Sequence, residues 1–185
     1  MSKNNGFTLI ELLVVVGIIA ILAIAALIAI NPIEAQRRSR DGARLQDMAR
    51  LTAAVEAFIN DNGMQGSALG TLTAGTSLGD GQIRSQPCAA GNWMTVDLCD
   101  YLKQVPLDPL NDRQSPALTT IAGVRASRLF GYGFAVNVNT GNYELCTYLE
   151  SDKSIELLSD GGTAAQVDNF ETGVGTNAAG MDCGI

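Results

Sequence analysis

GFTLIELLVVVGIIAILAIAALIAINP, residues 6–32, decides how the rest of this chain is read. From Phe7 to residue 30 nearly every side chain is apolar, and Glu11 alone places a carboxylate among them. As a helix, 24 residues would be about 36 Å long, enough to cross a hydrocarbon core of about 30 Å with slight tilt. A removable secretory signal has a shorter apolar core, roughly 7–15 residues, and a small-residue cleavage site after it. Here Asn31-Pro32 and an arginine cluster follow instead. The run reads as a membrane anchor. Glu11 is then costly, about 2.5–3.5 kcal/mol at a bilayer centre and less near its edge, and such residues are usually functional and paired. No basic residue within the run can pair with it. It either lies at the membrane edge, protonated or reaching for headgroups, or meets a partner from another chain.

The 185 residues suffice for one small domain and an extended element. Residues 1–50 carry 6 basic and 4 acidic groups; residues 51–185 carry 6 and 15. An acidic head on a slightly basic stalk disfavours nucleic acid as the head's ligand, although this does not exclude it for a whole assembly. Histidine is absent, and so are GxSxG, HExxH and phosphate-loop patterns. We therefore assign no catalytic residues, no metal and no cofactor. Lys3 precedes the apolar run, whereas Arg37, Arg38, Arg40, Arg44 and Arg50 follow it. That asymmetry favours a cytoplasmic head. Four cysteines beyond the anchor favour two disulfides and an oxidising, extracytoplasmic compartment.

Lys3-Asn4-Asn5-Gly6 followed by Phe7-Thr8-Leu9-Ile10-Glu11 resembles the leader and cleavage site of type IV prepilins and type II secretion pseudopilins. The resemblance implies removal of residues 1–6 by a prepilin peptidase cutting between Gly6 and Phe7, and N-methylation of Phe7. It also implies assembly through Phe7 and Glu11, with Glu11 meeting the free Phe7 amine of a neighbouring subunit. The implied product is a type IV pilus subunit. A type II secretion pseudopilin is the alternative, and a membrane-anchored extracytoplasmic binding protein or enzyme a more distant one. Expected partners are copies of the chain and other pilins in a helical filament, prepilin peptidase, an inner-membrane assembly platform, and the membrane before assembly. The precursor would sit in the inner membrane as a single span, and the assembled chain on the cell surface.

The expected fold class is α+β: a long N-terminal helix packed on an antiparallel sheet of three to four strands, stabilised by disulfides. Residues 7–30 form its transmembrane and assembly half, and residues 31–62 its amphipathic half. Leu45, Met48, Leu51, Val55, Phe58 and Ile59 share one arc at 100° per residue. Pro32 and Gly42 are the expected points of bending, and Asp61-Asn62-Gly63 the stop. The arginines at 37, 38, 40 and 44 read as a headgroup-facing flank, or else as contacts to acidic parts of neighbouring copies.

Residues 63–128 read as a loop region, with a long surface loop over 64–82 and a short helix over 95–104 capped by Thr95. Residues 129–158 read as a β-meander, with strands at 130–138, 143–150 and 155–158 and a turn at 139–142. Residues 159–185 read as a loop that a disulfide must tie down. We favour Cys146–Cys183 and Cys88–Cys99 over the other two connectivities. Val105-Pro106-Leu107-Asp108-Pro109 resembles a segment of the major pseudopilin, and residues 159–162 that family's calcium loop; ordinary turns account for both.

Overall fold

A computed structural model describes residues 6–62, 75–79, 85–89, 92–94, 97–114, 118–120, 123–125, 129–137, 142–151, 154 and 170–174. The chain forms two compact units, residues 1–36 and 37–185.

The first unit is built on helix α1, Leu9–Ile30. Almost every residue in it is a strong apolar helix former or a β-branched aliphatic, and its described side chains are all exposed. Leu9–Ile28 is long and apolar enough to cross a membrane. The expected continuous helix is interrupted: Asn31 closes α1 in the left-handed region, at φ 45° and ψ 76°, and helix α2, Pro32–Asn62, starts at the next residue. The proline ring disfavours helical backbone at the residue before it, and its missing N–H costs nothing at a first helical position. Asparagine tolerates the left-handed conformation, and Asn31 serves both helices, since its Oδ1 also accepts from the Glu34 amide at 3.4 Å. Pro32 thus marks the break as expected. Gly42 does not, because it lies within α2 with no interruption.

The second unit packs the rest of α2 on a four-stranded antiparallel sheet of order β1-β6-β7-β8. These strands are β1 (Gly75–Thr76), β6 (Tyr132–Asn137), β7 (Asn142–Thr147) and β8 (Phe170–Val174). Two short pairs lie outside the sheet: β2 (Ser85–Pro87) with β3 (Gln104–Pro106), and β4 (Leu118–Thr120) with β5 (Gly123–Arg125). Along β6 and β7 the period-2 pattern holds. Tyr132 and Phe134 point to the helix with Tyr143 and Leu145, in a register running from Tyr132↔Thr147 to Asn137↔Asn142. They meet Met48, Leu51, Val55, Phe58 and Ile59 from α2, and Trp93, Met94, Leu98, Val105 and Leu107 from the loop region. At about 1.5–3 kcal/mol for each large side chain withdrawn from water, this cluster dominates the cohesion of the unit. At the C-terminus of α2 the Asn62 side-chain amide donates to the Phe58 carbonyl at 2.9 Å.

Three expectations are revised. The short helix over 95–104 is not formed in its described part, 97–104. There the Leu98 amide is engaged by the Cys88 carbonyl (2.8 Å), Cys99 is bonded to Cys88, and Gln104 already belongs to β3. Bonds to Cys88 and to β2 hold this stretch as a turn followed by a strand instead. The expected loop over 64–82 supplies an edge strand, β1, against β6. The expected strand at 155–158 lies outside the described residues. The strand that pairs with β7 comes instead from within 159–185: β8, with register Tyr143↔Val174 to Thr147↔Phe170. Gly173 in β8 has φ 143°, which only glycine adopts without strain, and that residue made the segment read as loop.

Candidate functional site

The residues around the implied scission point share one exposed terminus. Gly6, Phe7 and Thr8 precede the helix without regular structure, and the Phe7 side chain is 87% exposed. The Gly6–Phe7 peptide bond is therefore presented on exposed chain outside the helix, accessible to a peptidase. The helix starts at Leu9 because Thr8 caps it. Thr8 Oγ1 accepts from the Glu11 amide at 3.3 Å, and Glu11 Oε2 accepts from the Thr8 amide and the Thr8 hydroxyl, each at 2.8 Å. This is a reciprocal capping box. Glu11 consequently has partners within its own turn, which a search for basic residues could not reveal. Threonine three places before glutamate was the signal, and it lay in the motif itself.

Those partners are neutral, so the carboxylate's charge is held in place and not cancelled. Phe7, Ile10, Glu11, Val14 and Val15 line a shallow recess of about 340 Å³, the last four sharing one face of α1 at this spacing. Hydrolysis before Phe7 would create an ammonium beside the positive end of the α1 dipole, an unfavourable position unless a carboxylate stands near. Glu11 occupies that turn in every copy.

The arginine collar resolves differently from either reading for two of its members. Arg44 is fully buried in the second unit. It grips Asp108 with two bonds, Nε to Oδ2 at 2.7 Å and Nη2 to Oδ1 at 3.0 Å. Its Nη1 reaches Asp41 at 2.9 Å and Glu150 at 2.7 Å, and its guanidinium lies 4.5 Å from the centre of the Phe130 ring. Arg40 adds a bidentate pair to Glu150 at 2.8 and 2.6 Å. Asp41 in turn accepts from the amides of Glu150 and Ser151 and from the Ser154 hydroxyl, at 2.8–2.9 Å. Burial works against the Arg44 charge, yet Asp108 and Glu150 outweigh it and raise its pKa. Burial likewise opposes the Glu150 charge, and Arg40 and Arg44 overcome it, holding that carboxylate below its usual range.

Asp41, Asp108 and Glu150 were not singled out by sequence as a group. The available signal was Arg44 itself, which stands four and seven residues before Met48 and Leu51 on the apolar arc. An arginine on a buried face needs carboxylates from elsewhere. Asp108 is one of them, so residues 105–109 are more than a turn, although Asp108 Oδ1 also takes the Leu110 amide at 2.7 Å. Among the described residues, no group of three His, Cys, Asp or Glu side chains is arranged to hold a metal. Residues 159–162 lie outside them.

Cys88 and Cys99 form the expected disulfide. Cys146, on β7, is also disulfide-bonded, while its expected partner Cys183 lies outside the described residues.

Residues 1–27 match the family model of the prokaryotic N-terminal methylation motif. The chain thus carries the prepilin-type leader and cleavage motif, which points to a type IV pilin-like or pseudopilin protein, a structural class. No curated protein and no solved structure matches the chain.

Proposed function

We propose that this chain is the structural subunit of a type IV pilus, assembled through α1 after a prepilin peptidase removes residues 1–6. The observation that carries the reading is the pairing of an exposed Gly6–Phe7 bond with a carboxylate fixed one turn into a fully exposed apolar helix. Water adds across the Gly6–Phe7 amide, leaving a carboxylate on Gly6 and an amine on Phe7. The amine becomes the cation that the apolar run otherwise lacks, and methylation keeps it basic. In the membrane, the Phe7 ammonium of one copy meets Glu11 of another. A pair of opposite charges in low dielectric is favourable only when both lie at the same depth, because a mismatched copy leaves a charge buried alone. The pair thereby fixes the axial stagger of neighbouring helices, and helix contacts replace lipid contacts along α1. The Cys88–Cys99 disulfide supports a head in an oxidising compartment, against the simple count of positive charges.

The decisive experiment is mass spectrometry of filaments sheared from the cell surface. Abundant chain beginning at an N-methylated Phe7 is expected. Processed chain confined to the membrane would favour the pseudopilin reading, and retention of residues 1–6 in the mature chain would overturn both.

A further inference from the structure

A cleft of about 520 Å³ opens in the second unit between α2 and the β2–β3 pair. That volume falls among those of small-molecule pockets, about 300–1,000 Å³. One wall is a single face of α2, where Ala43 is followed by Gln46, Asp47 and Arg50 at helical spacing. The other wall comes from residues 102–109, held by the Cys88–Cys99 bond and by pairing of β3 with β2. Ser85 stands at its edge and donates its hydroxyl to Gln104 Oε1 at 3.0 Å, which leaves the Gln104 amino group to donate elsewhere. The protein itself makes little use of the cations here. Arg50 reaches Asp47 only at 3.5 Å, the long end of an ion pair. Lys103 has no carboxylate partner among the described residues, in a head where acidic groups outnumber basic ones.

The side chains of the cleft select among ligands. Arg50 on one wall and Lys103 on the other suit an anion. Asp47 lines the same space and would repel a doubly charged phosphate, and these α2 residues lie mid-helix, where no free amides cradle one. A single carboxylate is tolerated, with Asp47 then accepting from a neighbouring hydroxyl of the ligand. Gln46 and Gln104 each donate and accept, as hydroxyl groups also do. An acidic peptide would bring carboxylates but few hydroxyls, and would leave those amides idle. Leu102, Pro106 and Pro109 offer apolar surface to C–H groups. We propose that this cleft binds a hexuronic acid unit of an acidic polysaccharide, with Arg50 and Lys103 on its carboxylate and the two glutamines on its hydroxyls. The net negative charge of the head does not forbid this, because salt screens it beyond about 8–10 Å while the two cations act at contact. The site lies wholly in the second unit and is independent of what α1 assembles into.

The test is nuclear magnetic resonance of the full chain in detergent micelles, titrated with digalacturonate and read at the side-chain amides of Gln46 and Gln104. Saturable shifts are expected with digalacturonate, and none with its neutral, carboxyl-reduced counterpart. Lys103→Gln should weaken binding about tenfold, the worth of one charge-assisted hydrogen bond. Gln46→Leu keeps both cations and should also weaken binding, through the hydroxyl contacts alone. Both side chains are exposed, so the two variants keep the fold. Absence of saturable shifts, equal shifts from the neutral sugar, or unchanged affinity in either variant would overturn the proposal. Equal affinity for inorganic phosphate or for tetraglutamate would overturn it too, by revealing a general anion site.

Discussion

Helices α1 and α2 both place charge where water is scarce, and they handle it in opposite ways. α1 holds one carboxylate, Glu11, which among the described residues is bonded within its own turn, on a helix whose described side chains are all exposed. α2 holds Arg44, fully buried and bonded to three carboxylates of its own unit. The second arrangement is complete in one chain. The first has no cation among the described residues of its own unit, and the proposed assembly would supply one. What the contrast teaches is that a buried charge marks a fixed contact, and its partner's location tells whether that contact is internal or between copies.

Changing Glu11 tests the sharpest side of this contrast. Glu11→Val should leave insertion and cleavage intact and leave the head's unfolding unchanged, while filament yield from sheared cells falls to background. Normal yield would mean that the charge on α1 is incidental. Arg44→Ala should do the reverse to the head. Asp41 and Asp108 lose the Arg44 guanidinium while Glu150 keeps Arg40, and breaking a buried ionic cluster in this way costs about 3–5 kcal/mol. Denaturant unfolding followed by the fluorescence of Trp93, the single tryptophan, would measure it. Loss of the Cys88–Cys99 bond, by replacing both with serine, comes next. With 11 residues separating the two, the chain-entropy model gives about 2–3 kcal/mol, read by the same unfolding curve.

Acid titration sharpens the comparison further. Glu150 is held below its usual range, so its folded pKa lies under its unfolded one. The stability it contributes is complete above the unfolded value, about 4.3, and disappears as pH falls through the lower folded value. Glu150→Gln should flatten the pH dependence of unfolding below that point. Asp47 moves in the other direction. Burial raises its pKa, although the Tyr132 hydroxyl donates to it at 3.1 Å. Its charge therefore weakens the fold at neutral pH, and protonation relieves this. Asp47→Asn keeps an acceptor for Tyr132 and should stabilise the head by less than about 1 kcal/mol at pH 7, with the gain vanishing in acid.

Much of the fold was legible because its signals are local. The capping threonine, the apolar run, the periodicity of α2 and the alternation of Tyr132, Phe134, Tyr143 and Leu145 each lie within one element. Asn31-Pro32 announced the break. β1 and β8 were not legible, since each is short and glycine-bearing and gains its strand character from the neighbour it pairs with. The turn at 99–101 was misread as helix for the same reason, because bonds to Cys88 decide it. The leader and cleavage motif was readable residue by residue. The ionic cluster was not, for Asp41, Arg44, Asp108 and Glu150 are separated by up to 109 positions along the chain.

By itself, then, the order of amino acids determined a membrane-length helix, a prepilin-type leader and cleavage motif and a carboxylate in the first helical turn, because those properties depend on neighbours within about four residues. Tertiary structure alone decided that Arg40 and Arg44 turn inward and that two glycine-bearing segments become strands. Partners for those groups come from distant parts of the chain, and only folding brings a cation, its carboxylates and an unpaired strand edge within bonding distance.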